Sequence, residues 1–174
     1  MKKVVLLVCF GLYLFGCSNV PVKDISIESE ADPKVKFSGY KTYAWLGAAG
    51  IVHDPQGQWE PPQFDADAEI TFLIDQAMRK RGMTEVTDNP DMLVAYALGV
   101  DMAALKVKHD PETKMPMLDN VPQGALIVTL VDPETEFVTW VSIATADLKG
   151  LEPDMAKKRL KYVVKKMFKQ LPKK

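Results

Sequence analysis

The clearest β-strand signal in the sequence is DMLVAYALGVDMA, at residues 91–103. Successive side chains of a strand point to opposite faces, so alternate residues share a face. One face would carry large apolar residues, namely Met92, Val94, Tyr96, Leu98, Val100 and Met102. The other face would be small for much of its length, with Leu93, Ala95, Ala97, Gly99 and Asp101. Because small residues let a helix approach closely, we expect a central strand with helices over this small face.

A helix is predicted just before this strand, over residues 65–81. Carboxylates crowd its first turn and cations its last, which complements the helix dipole. Gly82 follows the last turn, where glycine is the preferred residue. Its apolar residues form one stripe at helical spacing: Ala66, Ile70, Leu73, Ile74, Ala77 and Met78.

A second helix is predicted at the carboxyl end, over residues 153–171, with Pro153 in its first turn. Its apolar stripe consists of Leu160, Val163, Val164, Met167, Phe168 and Leu171. A candidate basic face lies mostly off that stripe and consists of Lys157, Lys158, Lys161, Lys165 and Lys169. This face has three possible roles: a solvated surface, neutralisation of an acidic body, or contact with anionic lipid headgroups.

Further strands are predicted at residues 25–30, 40–46, 125–131 and 137–144, with long loops at 47–64 and 106–123. The last two strands flank Asp132-Pro133-Glu134-Thr135, whose aspartate and proline suit a tight turn. The predicted fold class is α+β: a two-layer domain with a mostly antiparallel sheet of about five strands and two helices packed on one face.

The amino terminus has the layout of an export signal. Lys2 and Lys3 precede an apolar run at 4–15 that is too short to span a bilayer as a helix. The run ends in Leu14-Phe15-Gly16-Cys17, which resembles the lipobox of bacterial lipoproteins. That resemblance implies diacylglycerol on the Cys17 sulfur, cleavage after Gly16, and a further acyl group such as palmitate on the new amine.

These features divide the chain into a lipoprotein signal peptide at 1–16, a tether at 17–24 and a single globular domain at 25–174. The other cysteine, Cys9, lies in the segment to be removed, so a mature monomer can form no disulfide. Ser18 stands where the resemblance would place an aspartate for inner-membrane retention. We therefore expect a lipid anchor in the inner leaflet of the outer membrane, with the domain facing the periplasm.

Charge is distributed unevenly along the chain. All 23 acidic residues lie between Asp24 and Asp154, and nine of the 22 basic residues lie at 157–174. The net charge of −1, together with export, argues against nucleic acid as a partner.

The sequence offers little for catalysis or cofactor binding. His53 and His109 each precede Asp-Pro in a predicted loop, and no further metal ligands stand at a recognisable spacing. Phosphate-binding, dinucleotide-binding and nucleophile-elbow motifs are not found. We expect no enzyme activity, no cofactor and no metal.

The aromatic residues divide into two groups. Tyr40, Tyr43, Trp45 and Trp140 lie on predicted strands, where such side chains usually fill a core. Trp59 and Phe64 lie instead in the proline-rich loop at 47–64. They are a candidate partner-binding loop, or they fold back as a lid over the core; the sequence favours neither.

Three blocks of sequence carry a resemblance to a known family. They are Phe37 with Tyr40-Lys41-Thr42-Tyr43-Ala44-Trp45, then Asn89-Pro90-Asp91-Met92-Leu93-Val94, then Gly124-Ala125-Leu126-Ile127-Val128 with Asp132 and Trp140. Together they resemble an uncharacterised family of bacterial envelope lipoproteins, domain of unknown function 4136. The resemblance implies a lipobox and an α+β fold and supplies no activity. The chain departs from the family at Val141 and Ser142, where a basic residue and a glycine are common.

The sequence therefore leaves three hypotheses of function. The first is a non-enzymatic, membrane-anchored envelope lipoprotein that acts as an interaction or structural module, with a possible envelope protein partner. The alternative is a small-molecule or lipid-binding lipoprotein with a pocket between sheet and helices. A hydrolase of unrecognised type is the third. An apolar cavity lined by Tyr96, Trp45 or Trp140 would favour the second hypothesis, and a closed core the first.

Overall fold

The computed structural model describes residues 20–109, 111–112, 116–148 and 150–173. In chain order its elements are β1 (Ser26–Ala31), β2 (Thr42–His53), α1 (Ala66–Lys80), β3 (Thr84–Glu85), β4 (Leu93–Asp101), β5 (Leu105–His109), β6 (Pro116–Asn120), β7 (Gln123–Val131), β8 (Val138–Asp147) and α2 (Pro153–Gln170). None of the helices in these described ranges is long and apolar enough to cross a bilayer.

Six strands form one mixed sheet in the order β1-β8-β7-β4-β2-β3. β7 and β8 form the predicted hairpin around the turn at Asp132, which confirms that prediction. β2 and β4 pair in parallel, because α1 lies between them in the chain and returns it to the same end of the sheet. The main sheet is therefore a mixed sheet of six strands and not the mostly antiparallel sheet of about five strands that the sequence predicted, because β2 runs parallel to both β4 and β3.

Both segments that were predicted to be long loops contain β-structure. β2 continues through Gly47 to His53, since its backbone pairs with β4 up to Asp101. Residues 106–123 contain most of a second, two-stranded sheet of β5 and β6, in which Val107 faces Leu118. The glycines and alanines at 47–50 have low β-propensity, so the sequence did not predict a strand there. They form a strand because β4 pairs with them, and single-residue propensities do not include that pairing.

Both helices begin and end close to the predicted positions, which confirms them. The Asp65 carboxylate accepts a hydrogen bond from the Ala68 N–H and caps α1. Gly82 has a φ of 71° and closes the helix, as its lack of a Cβ allows. α2 begins at Pro153, whose missing N–H costs nothing in a first turn.

The core lies between the helices and one face of the sheet. Val94 and Tyr96 of β4 are buried there together with Ile70 and Ile74 of α1 and Met167 of α2. The helices thus cover the large face of β4, and the prediction that they cover its small face is wrong. Large apolar side chains gain more free energy from burial against a helix than alanine and glycine do. Close approach by small residues is therefore the weaker effect here.

Candidate functional site

Four neighbouring strands end in one row of paired residues: His53 on β2, Asp101 on β4, Gln123 on β7 and Asp147 on β8. We call this edge of the domain the tether end, because residues 20–24 also lie there. The backbone N–H of Asp147 donates to the Asp24 carboxylate at 2.9 Å. The first half of α2 and the start of α1 lie at the same end.

An ion pair fastens the tether to α2. Nη1 of Arg159 donates to Oδ1 of Asp24 at 2.9 Å, and Nη2 donates to Oδ2. Arg159 also donates to the backbone carbonyls of Pro21 and, at 3.4 Å, Asp147. The Arg159 side chain is only 6% exposed, against 25% for that of Asp24. The hydrogen bond from Arg159 lowers the pKa of Asp24 from 3.8 to about 2.

Sequence reasoning did not single out this pair, although the sequence contained a signal for it. Arg159 stands four residues before Val163, so helical spacing places it beside the apolar stripe rather than on the basic face. A cation at such a position needs a carboxylate partner, since burial of an unpaired charge is costly. Asp24, 135 residues away, carried no comparable signal.

A cavity of about 160 Å³ opens between the sheet and α2 at the tether end. Small residues of the strands make room for it, and its wall is almost wholly apolar. The strands contribute Leu98, Gly99, Val100, Gly124, Ala125, Leu126, Ala144, Thr145 and Ala146. The helices contribute Ala66, Ile70, Ala156, Arg159, Leu160 and Val163, and Leu148 and Leu151 complete that side. A dry apolar cavity of roughly this size binds small apolar groups in other proteins.

Trp59 and Phe64 line this cavity together with Pro62, and both side chains are half-buried. The Asp54 carboxylate accepts a hydrogen bond from the Trp59 N–H, which lowers the pKa of Asp54 and orders the turn before Trp59. Nζ of Lys157 lies 5.2 Å from the centre of the Phe64 ring, within range of a cation–π contact. The loop therefore lies back against the domain.

The five lysines of the candidate basic face are all exposed and lie in two surroundings. Lys157 contacts Phe64, and Lys158 is in the same turn of α2. Lys161, Lys165 and Lys169 line a groove that faces Lys80 and Arg81 at the carboxyl end of α1, with Val164 and Phe168 on its floor. The basic face thus extends along α2 from the tether end to the far end of the domain.

The strand aromatics lie in or against the core, as the sequence predicted. Tyr43 and Trp140 are fully buried, and Tyr40 and Trp45 pack against the core. The Trp140 and Phe168 rings are 5.4 Å apart between centroids, which joins β8 to the end of α2. None of Tyr96, Trp45 and Trp140 lines the 160 Å³ cavity, so its walls differ from those expected.

The other candidate groups lie apart. Nδ1 of His53 is 3.0 Å from the Asp101 carboxylate, and both residues are exposed. Within the described ranges, three or more metal-ligating side chains nowhere come together. Cys17 and the whole predicted signal peptide lie outside the described residues.

The first two family-like blocks meet in the structure. The backbone N–H groups of Lys41 and Thr42 donate to the Asp91 carboxylate at 2.8 and 2.9 Å. The Thr42 hydroxyl in turn accepts from the Asp91 N–H at 2.9 Å. These backbone N–H donors lower the pKa of Asp91. Asp91 thus joins the start of β2 to the start of β4 where the parallel pair begins.

Comparison with known proteins supports this architecture. A family model described as "Domain of unknown function (DUF4136)" matches residues 27–173. No curated protein matches the sequence. A DUF4136 family protein from Bacteroides thetaiotaomicron has a similar structure, with a TM-score of 0.58 at 12% identity; the match covers 86% of this chain and 96% of that one.

Two further solved structures share the fold. A PelC dodecamer variant from Paraburkholderia phytofirmans matches with a TM-score of 0.51 at 15% identity, over 86% of this chain and 98% of that one. A PDZ domain protein from Parabacteroides distasonis matches with a TM-score of 0.55 at 14% identity and covers 84% of this chain. The present chain spans only 35% of the length of that protein.

Proposed function

The chain belongs to the DUF4136 family, and from that premise we propose that it is a non-enzymatic lipoprotein, anchored by Cys17 in the inner leaflet of the outer membrane. It acts there as an interaction or structural module facing the periplasm. The observation that carries the proposal is the set of hydrogen bonds that Arg159 donates to the Pro21 carbonyl and the Asp24 carboxylate. A short tether that is fastened to the domain transmits the position of a lipid anchor to the whole molecule.

The proposed absence of catalysis is supported by the roles of the titratable groups. Three carboxylates with a lowered pKa accept hydrogen bonds from backbone N–H groups of nearby turns or strands; they belong to Asp54, Asp91 and Asp132. These hydrogen bonds hold the local backbone in place and account for the lowered pKa values without a catalytic role. None of the three carboxylates lines the cavity.

Replacement of the anchoring cysteine tests the proposal. Cys17→Ser should abolish incorporation of labelled fatty acid and leave the precursor uncut at Gly16. The control is Ser18→Ala, which leaves the thiol in place and should be acylated normally. If Cys17→Ser still incorporates fatty acid and still fractionates with the outer membrane, the proposal is wrong.

A second candidate function is binding of an apolar ligand in the 160 Å³ cavity. Its almost wholly apolar wall supports this candidate, and its volume suits a small apolar group or the end of an acyl chain. Trp59 lines the cavity, whereas Trp45 and Trp140 do not, so indole fluorescence can report on occupancy. A brominated fatty acid should quench the fluorescence of the native chain and have little effect on Trp59→Phe. Equal quenching of both would argue against binding in this cavity.

The similarity to the PelC dodecamer suggests one kind of interaction to test, namely the assembly of several copies of this chain. The PelC chain is a dodecamer, and this chain shares only its fold. Analytical ultracentrifugation of the lipoprotein in detergent will determine whether this chain also assembles.

A further inference from the structure

The β5–β6 pair forms an arm that continues the β4–β7 pair beyond the tether end. The ladder between β4 and β7 ends at Asp101 and Gln123, and the arm resumes at Leu105 and Asn120. Between them the Val121 N–H donates to the Ala104 carbonyl at 2.9 Å, which carries the pairing across the gap. The arm therefore starts at the edge of the domain from which the tether leaves.

One face of the arm is exposed and carries three apolar side chains, with His109 and Asn120 at its two ends. Val107 is paired with Leu118, and Leu105 lies two residues before Val107 on the same face. These three side chains are 64–66% exposed. Lys106 points to the opposite face, and its Nζ forms an ion pair with the Asp147 carboxylate of β8. This ion pair turns the polar face toward the domain and the apolar face away from it.

Other exposed apolar residues lie at the same end. Ile51 and Val52 of β2 are 64% and 51% exposed and pair with Gly99 and Val100 near the end of β4. Five of the ten exposed large apolar side chains of the described residues thus lie at the tether end. Exposed apolar side chains gathered at one end of a domain favour an apolar partner at that end.

The length of the tether restricts what that partner is. Cys17 is four residues from Pro21, whose carbonyl is bound by Arg159, and four extended residues span at most about 14 Å. Arg159 contacts Asp147 as well, and Asp147 holds Lys106 at the base of the arm. If acyl chains on Cys17 enter a bilayer, the tether end and the arm must face that bilayer at short range.

We propose that the apolar face of the β5–β6 arm, formed by Leu105, Val107 and Leu118, inserts into the interfacial layer of the membrane that holds the lipid anchor. This inference rests on the proposed acylation of Cys17. The arm is then a second, non-covalent membrane contact, which fixes the orientation of the domain relative to the bilayer. Lys157 and Lys158, exposed at the start of α2, lie at the same end and favour anionic headgroups.

Site-directed spin labelling of the acylated chain tests this inference. In the mature lipoprotein the Cys17 sulfur carries lipid, so Leu118→Cys or Val107→Cys introduces the single free thiol. Val138→Cys is the matched control, because Val138 is 52% exposed and lies at the opposite end of β8 from Asp147. Each labelled chain is reconstituted into vesicles of phosphatidylethanolamine with a minority of phosphatidylglycerol.

Labels on the arm should collide mainly with oxygen dissolved in the lipid, and the label at Val138 mainly with a water-soluble nickel complex. We expect the ratio of oxygen to nickel collision rates to be several-fold higher on the arm than at the control, because an interfacial apolar face lies at the boundary of headgroups and acyl chains. Equal water accessibility at both ends would overturn the inference. Dipolar broadening between arm labels without lipid contact would overturn it in favour of a second copy of the chain. Mass spectrometry of the same sample shows whether Cys17 is acylated. A chain without acyl groups would overturn the proposed anchoring and this inference together.

Discussion

The carboxylate of Asp24 lies against the guanidinium of Arg159, with Oδ1 2.9 Å from Nη1, across 135 residues of sequence. This contact links the tether to the last helix and, through Asp147, to the last strand. It is the point at which an anchor on the amino terminus would act on the folded domain.

The Asp24–Arg159 pair should make stability depend on pH in the acid range. A folded-state pKa lowered from 3.8 to about 2 means that the stabilisation is complete above 3.8 and is lost as the pH falls toward 2. We expect about 1–2 kcal/mol from this group after allowance for solvent screening. Urea unfolding of native chain and Asp24→Asn should differ most at neutral pH, and the difference should shrink near pH 2. A difference that does not change with pH would contradict the prediction.

Asp91 should stabilise the domain through the hydrogen bonds that its carboxylate accepts from two backbone N–H groups. Asp91→Ala leaves the N–H groups of Lys41 and Thr42 without this partner, and we expect a loss of about 1–2 kcal/mol, as for a helix cap. Asp88→Ala is the control, since Asp88 is an exposed carboxylate of the same segment. Thermal unfolding of both variants measures the difference, and equal losses would argue against this role.

The end of α2 should contribute far more to stability through its apolar face than through its lysines. Phe168 is 6% exposed and contacts the Trp140 ring, so Phe168→Ala should cost about 3–5 kcal/mol. Lys169→Gln in the next position should cost under about 0.5 kcal/mol because its side chain is exposed. Chemical denaturation compares the two, and a similar loss from both would show that the packing is misassigned.

Filling the cavity should separate ligand binding from folding. Ala156 lines the cavity from α2, and Ala156→Leu places a good helix former there. We expect quenching of Trp59 by a brominated fatty acid to fall several-fold while the melting temperature stays level or rises. Ala68→Leu, on the exposed side of α1, should leave the quenching unchanged. Undiminished quenching in Ala156→Leu would place the ligand elsewhere.

The lysines of α2 should differ in their effect on membrane binding. Lys157 and Lys169 are separated by about 18 Å along the helix, which exceeds the Debye length of about 8 Å at physiological salt. Because α2 begins at the tether end, Lys157→Gln with Lys158→Gln should weaken binding to anionic vesicles more than Lys165→Gln with Lys169→Gln. Vesicle flotation at low and physiological salt measures this. Equal weakening by both pairs would indicate that the whole basic face approaches the bilayer.

Local signals in the sequence were enough to predict the two helices, the β7–β8 hairpin and the burial of the strand aromatics in or against the core. The carboxylates and cations at the ends of α1, Pro153 at the start of α2 and Asp132-Pro133 in the turn act within a few residues of their own positions. Their effect depends on the backbone next to them, so a single sequence reveals it. The α+β class followed from the same local patterns.

The sheet edge, the arm and the candidate site were decided by tertiary structure. Gly47–His53 is a strand because β4 lies beside it, and the cavity exists because Gly99, Gly124 and Ala146 meet beneath α2. Arg159 selects Asp24 only once the fold brings their elements together. Strand pairing, cavity shape and buried ion pairs depend on residues that are distant in the chain, and a pattern read along the sequence does not contain those distances.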